Sequence, residues 1–157
     1  MPASFRPLLA LLLLLVAGAS ATLAQQLQTF PTADLTIESA TGAHQFTVEI
    51  ATTPAQMEQG LMFRRTLAPD AGMLFVFKTP SPASMWMKNT FIPLDMLFID
   101  NSGRIINIAE RAVPQSLDTI AAAAPARAVL ELNGGTAARL GIRPGDRVVF
   151  PIFGNAS

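Results

Sequence analysis

Short runs of alternating apolar and polar residues, broken by turn residues, make up most of the chain after Thr32. Leu35–Glu38 reads as a short strand, and Thr41-Gly42 as a turn. His44–Ile50 alternates cleanly and predicts a half-buried strand with Phe46, Val48 and Ile50 inward. Thr53, Pro54 and Gln56 form a helix start with a capping box, and the apolar positions Met57, Leu61 and Met62 extend the predicted helix over 54–63. Met73–Phe77 is apolar on both faces, as a central strand would be. Met85–Lys88 and Leu94–Ile99 read as further strands. Asp100–Gly103 reads as a hairpin turn and Arg104–Ala109 as its returning strand. Pro114–Pro125 is a long loop with an alanine run that allows a weak helix. Ala128–Leu132 is a strand. Ala137–Leu140 is one helical turn, capped by Thr136 and closed by Gly141, and Arg147–Phe150 is a last strand.

About eight short strands and one or two short helices, with no strand–helix alternation, predict a mainly β (α+β) fold. The expectation is a single compact domain whose largely antiparallel sheet is closed or barrel-like. Residues 25–43 would be a loose lead and first short strand, residues 44–152 the β-rich domain, and residues 153–157 a tail.

The first 24 residues have a different character. Arg6 precedes an apolar run from Leu8 to Val16, and small residues at 19–24 suit signal peptidase. The run is shorter than the roughly 20 residues of a membrane span. It predicts a cleaved signal peptide and a periplasmic or secreted protein, with Gln25 the preferred first residue and no stable membrane span afterwards. The chain has no Cys, so a lipid anchor on a cleavage-site Cys and any disulfide are excluded. Lys and Arg number 11 and so do Asp and Glu, with Arg6 in the leader. That balance gives no electrostatic footprint for nucleic acid or anionic lipid, and neither is expected as a partner.

Candidate chemistry concentrates in Met85–Asp95, which holds the only Trp, one of two Lys, and an Asp in an apolar setting. Buried polar and charged groups are costly unless paired. Asp95 is expected to be buried, either as part of a ligand site with Lys88 opposite it across a hairpin, or as a structural ion pair or turn cap. Trp86 and Lys88 share one face of an extended segment, and Met85, Met87 and Asn89 the other. Trp86 could stack on a flat ligand or fill the core. Glu131 could join Lys88 and Asp95 and form an acid–base pair with Asp95. Arg64 or Arg65 could bind an anion, or be solvated or paired with Glu58 or Asp70. Met85 and Met87 offer two thioethers, ligands that suit Cu(I), although Met is also common core filler. With one His and no Cys, a Cys–His nucleophile and the usual zinc sites are excluded, and no cofactor is expected.

Several motifs occur in order: Gly60-Leu61-Met62 with Arg64 and Leu67; Gly72–Phe75; Trp86–Thr90 with Pro93-Leu94-Asp95 and Phe98; Leu130-Glu131 with Gly134 or Gly135; Gly141-Ile142 with Gly145-Asp146. From about His44 to Phe150 the chain resembles the bacterial and archaeal family called domain of unknown function 192. The resemblance implies a compact β-rich domain, often exported or membrane-tethered, and brings no established activity or catalytic residue. The motif residues Arg64, Trp86, Lys88, Asn89, Asp95 and Glu131 are the expected ligand-binding positions. The leading expectation is binding of a small polar ligand or cell-envelope partner without turnover. A hydrolase or lyase using Asp95 and Glu131 is the second, and a Cu(I) site at Met85 and Met87 the third.

Overall fold

The computed structural model describes residues 27–156, so the expected signal peptide and its expected cleavage site lie outside the described residues. Nine strands form: β1 (Thr32–Ser39), β2 (Gly42–Ala51), β3 (Ala71–Ser81), β4 (Ser84–Met85), β5 (Leu94–Ile99), β6 (Ile105–Ala112), β7 (Ile120–Ala121), β8 (Ala126–Asn133) and β9 (Arg147–Val149). Two short helices join them, α1 (Pro54–Gln59) and α2 (Thr136–Leu140), and a 3-10 turn follows at Pro151–Phe153. Seven strands make one sheet in the order β6-β5-β8-β3-β2-β1-β9. The sheet is a curled half-barrel whose edges touch. Arg104 bridges Arg147, and the Val148 N–H donates to the Gly103 carbonyl at 2.7 Å.

The sheet is mainly β and largely antiparallel, as the alternation predicts. The one parallel pair, β2 with β3, needs a crossover, and α1 provides it. This single strand–helix–strand unit is the exception to the expected absence of such a rhythm. Strand β1 pairs with both β2 and β9, so the first short strand, expected over Leu35–Glu38, extends over Thr32–Ser39 within the sheet. The expected tail is also held. Phe153 is buried, and the Asn155 side chain bonds the backbone of Val148 and Phe150.

Three strands, β3, β5 and β8, are buried on both faces. Leu74, Leu97, Ile99, Leu130 and Leu132 point into the barrel with Leu35, Ile37, Phe46 and Val48. Met73, Phe75, Met96, Phe98 and Val129 point the other way, into a second core with Leu61 and Met87. Buried apolar side chains stabilise by about 1.5–3 kcal/mol each, and the strands' near-continuous apolar runs supply both faces.

Four expectations need correction. Helix α1 stops at Gln59 because Gly60 adopts φ 48°, so Leu61 and Met62 lie in a turn and not on a helical face. An added Cβ on Gly60 would sit 2.9 Å from the Phe75 ring, so only glycine allows this close approach. Met85–Lys88 is not a strand hairpinned to β5. Only Ser84 and Met85 are extended, and they pair with β7, inside the stretch expected to be loop or weak helix. Lys88 consequently does not oppose Asp95. The α2 cap is not Thr136 but Gly135 (φ 89°), which has no side chain to cap with.

Asp95 supplies that cap from β5. It is fully buried, and its Oδ1 accepts the N–H groups of Arg111 (2.8 Å) and Gly135 (2.9 Å) while Oδ2 accepts that of Ala137 (2.8 Å). One carboxylate thus fixes the end of β6, the β8–α2 turn and the first turn of α2 to the centre of the sheet. Hydrogen bonds to a charged group contribute roughly 1.5–3 kcal/mol each, and orphaned buried donors are costly. Asp95→Ala should therefore lower unfolding free energy by about 3–5 kcal/mol in urea titration, with Asp95→Asn losing less. A loss below about 1 kcal/mol for the alanine variant would contradict this role.

Candidate functional site

The second core is incompletely filled. Where α1, the 61–63 turn and the 84–90 segment cross the β8–β3 face, a cavity of about 100 Å³ remains. Its floor is Glu131 on β8, with Phe75 and Leu61 beside it and Met57, Met62 and Met85 around it. It is contiguous with an outer cleft of about 330 Å³ that shares Glu58, Gln59, Met62 and Trp86 and is bordered by Phe63, Lys88 and Asn89. The strand period places Glu131 here. It pairs in register with Met73 on β3 and Met96 on β5, so it takes the same face as those core side chains.

Glu131 is only 4% exposed, and no hydrogen bond to its carboxyl is found among the described residues. Burial without a partner penalises the charged form, and the carboxyl is pushed up from 4.5 to about 8. At neutral pH it is mainly a protonated acid, able to donate one hydrogen bond and accept another. A buried carboxyl with a strongly raised proton affinity in a cleft is a candidate for function, whereas the one fully buried side-chain atom without a partner among the described residues is Arg127 Nη1, on the same strand.

The rim is aromatic and polar. Trp86 is 47% exposed, and the Lys88 ammonium sits 4.9 Å from the centre of its ring. A cation there is held by the ring quadrupole. Trp86 and Lys88 thus lie together, but not on one face of a strand: the segment is not extended beyond Met85, and Asn89, expected on the other face, borders the same cleft. Gln59 closes one side, its Oε1 accepting the Gln28 N–H at 2.7 Å, so the lead segment runs along the cleft. Phe63 (φ 67°) and Asn89 (φ 53°) both hold left-handed backbone, and the Phe63 N–H donates to the Asn89 carbonyl at 2.9 Å. For a bulky residue such as Phe63 that backbone is costly, and strained positions of this kind concentrate at ligand clamps.

Of the six expected positions, four meet here: Glu131, Trp86, Lys88 and Asn89. Arg64 is elsewhere, paired with Glu49 on β2 at 2.9 Å, not with Glu58 or Asp70. Asp95 and Glu131 are not brought together. Asp95 pairs in register with Leu132, and Glu131 with Met96, so the two carboxyls leave opposite faces of the sheet. Met85 lines the cavity, whereas Met87 is fully buried in the core. The sequence reading did not single out Met57, Glu58, Gln59 or Met62 as lining. The only local signal is the Gly60 that ends α1 and turns them toward β8.

The fold and the site together define a curled β-sheet with an acid-floored, aromatic-rimmed cleft on its outer face. The chain belongs to the domain of unknown function 192 (DUF192) family, described as "Uncharacterized ACR", which it matches over residues 36–150. It is similar to a crystal structure of a Sinorhizobium meliloti protein whose name proposes a role as a transcription regulator (48% identity, TM-score 0.78, 81% of this chain and 99% of that one). It is also similar to a protein of unknown function from Novosphingobium aromaticivorans (46% identity, TM-score 0.75, 76% and 85% covered). No match to a curated protein was found.

The raised Glu131 group predicts a pH-dependent stability. Below about pH 4.5 folded and unfolded chains both hold the proton; from there to about pH 8 only the folded chain does. Stability therefore falls as pH rises through that window, by at most about 1.4 kcal/mol per pH unit from this group. Glu131→Gln should remove that slope when urea midpoints of the two proteins are compared. Parallel profiles would count against the assignment.

Proposed function

We propose that this protein is a binding module that takes a small polar ligand without turnover. The head group enters the inner cavity and hydrogen-bonds Glu131, and the body lies in the outer cleft against Trp86. The observation that carries this reading is Glu131 itself, a buried carboxyl without a protein partner at the floor of an open-ended cavity. Its carboxyl makes no hydrogen bond to protein among the described residues, and a ligand that bonds it offsets the cost of burial.

Separation of Asp95 from Glu131 disfavours a two-carboxylate hydrolase or lyase, since the oxygens of Asp95 are already occupied by backbone donors. A two-thioether site at Met85 and Met87 is disfavoured because Met87 has no exposed surface. The apolar leader supports export, so the ligand belongs to the periplasm or cell envelope. Among the described residues no helix is long and apolar enough to cross a membrane. The near balance of charge lends no support to carrying over the regulator role named for the Sinorhizobium meliloti relative.

Trp86 is the only Trp, so its indole N–H is a unique NMR reporter for the cleft. A screen of small polar fragments should yield binders that shift this signal, and Trp86→Ala should weaken them roughly fivefold to tenfold, the loss of one aromatic contact of about 1–1.4 kcal/mol. Binders that leave the indole signal unmoved would place the site elsewhere.

A further inference from the structure

The chemistry around Glu131 narrows the class of ligand. The two titratable groups at the inner cavity are both acidic, Glu131 on its floor and Glu58 on α1. The β3 and β5 neighbours of Glu131 in register, Met73 and Met96, carry no charge. Lys88, the cation of the cleft, borders the outer part and lies against the Trp86 ring. The remaining inner lining consists of Phe75, Trp86, three thioethers, Leu61, Gly60, the Gln59 amide and the hydroxyls of Ser84 and Thr90, none of them charged. Aromatic faces and polarisable sulfur suit a positive charge, and nothing in that lining would neutralise a negative one.

Size points the same way. An apolar cavity of about 150 Å³ holds a benzene ring, so one of 100 Å³ holds about four heavy atoms. The part of an occupant that enters it is small, and the adjoining cleft of about 330 Å³ has room for the rest.

We infer that the inner cavity takes the ammonium end of a narrow alkylamine, free or as a lysyl side chain, with the Glu131 carboxylate as its counter-ion. This rests on the binding reading above and names its ligand class. Binding converts a protonated acid and an alkylammonium into an ion pair and releases one proton to solvent; no covalent bond changes. The buried acid is thereby ionised opposite a partner, the one arrangement in which a buried charge is compensated. Affinity therefore rises with pH while Glu131 is protonated in the empty protein and levels off once it is ionised. A neutral ligand has the opposite profile, losing a donor as the carboxyl ionises.

The test titrates the full exported protein with n-butylamine, with n-butanol as the neutral counterpart, and with an Nα-acetyl-lysine methylamide, following the Trp86 indole signal from about pH 6 to 9. The expected result is n-butylamine affinity that rises up to about tenfold per pH unit below about pH 8, with n-butanol weaker throughout. Glu131→Gln should abolish the rise and weaken the amine at least about tenfold at pH 8, the share of a lost buried ion pair. Lys88→Ala, at the rim, should tighten the amine, because it removes a like charge. Tighter binding of the blocked lysine than of n-butylamine identifies a peptide side chain as the source, and the reverse a free amine; either supports the inference. Equal or better binding of n-butanol, or an amine affinity flat with pH, overturns the ammonium assignment while the cleft stands. If no probe moves the Trp86 signal, the binding reading falls as well.

Discussion

The β5–β8 pair carries two buried carboxyls on opposite faces, and the contrast between them organises the molecule. Asp95 faces a ring of backbone donors from three chain segments and is satisfied by them. That arrangement lets a five-residue helix with a glycine cap form at all, because an isolated helix of this length has no stability of its own. Glu131, in register with the next residue of β5, receives no such donors. The same pair of strands therefore holds a structural carboxylate on one face and an unspent one on the other.

The architecture explains why one face is full and the other is not. Inside the barrel, apolar side chains from β1, β2, β3, β5, β6, β8 and β9 converge, and Asp95, on the same face as Leu97 and Leu132, is satisfied by backbone donors. The outer core is covered by segments that are not regular, the 61–67 and 83–92 stretches, with α1 alongside. Irregular cover leaves gaps that a sheet would close, and the left-handed residues Phe63 and Asn89 hold these two segments together at the rim. Loops positioned by a rigid sheet are where binding residues are usually found.

Much of this was legible in the sequence. Leu94–Ile99 appears where its apolar run ends, the Thr53 capping box forms, and the two-sided burial of β3 follows from Met73–Phe77. The misreadings share one cause, long-range geometry that local pattern does not encode. The Met85–Lys88 alternation looks like a strand, but its partner is β7, and beyond Met85 the segment crosses over the core. Thr136 is a good cap by type, yet its place is taken by a carboxylate about forty residues away. For the site, Trp86, Lys88, Asn89 and Glu131 stood out as polar or aromatic groups in apolar settings. Arg64 and Asp95 stood out for the same reason but had found other partners, a salt bridge and three amides. Residue type marks groups that need partners; only the fold tells which still lack one.

The central claim is that Glu131 is an acid kept neutral by burial at the floor of a cleft. The measurement that reaches it most directly is a carbon NMR titration of the side-chain carboxyls, with Glu131 assigned by its absence in Glu131→Gln. The account predicts a midpoint near 8 for this one group. A midpoint close to the ordinary 4.5 would mean that solvent or a partner already satisfies the carboxyl, and the case for a ligand at this site would fail.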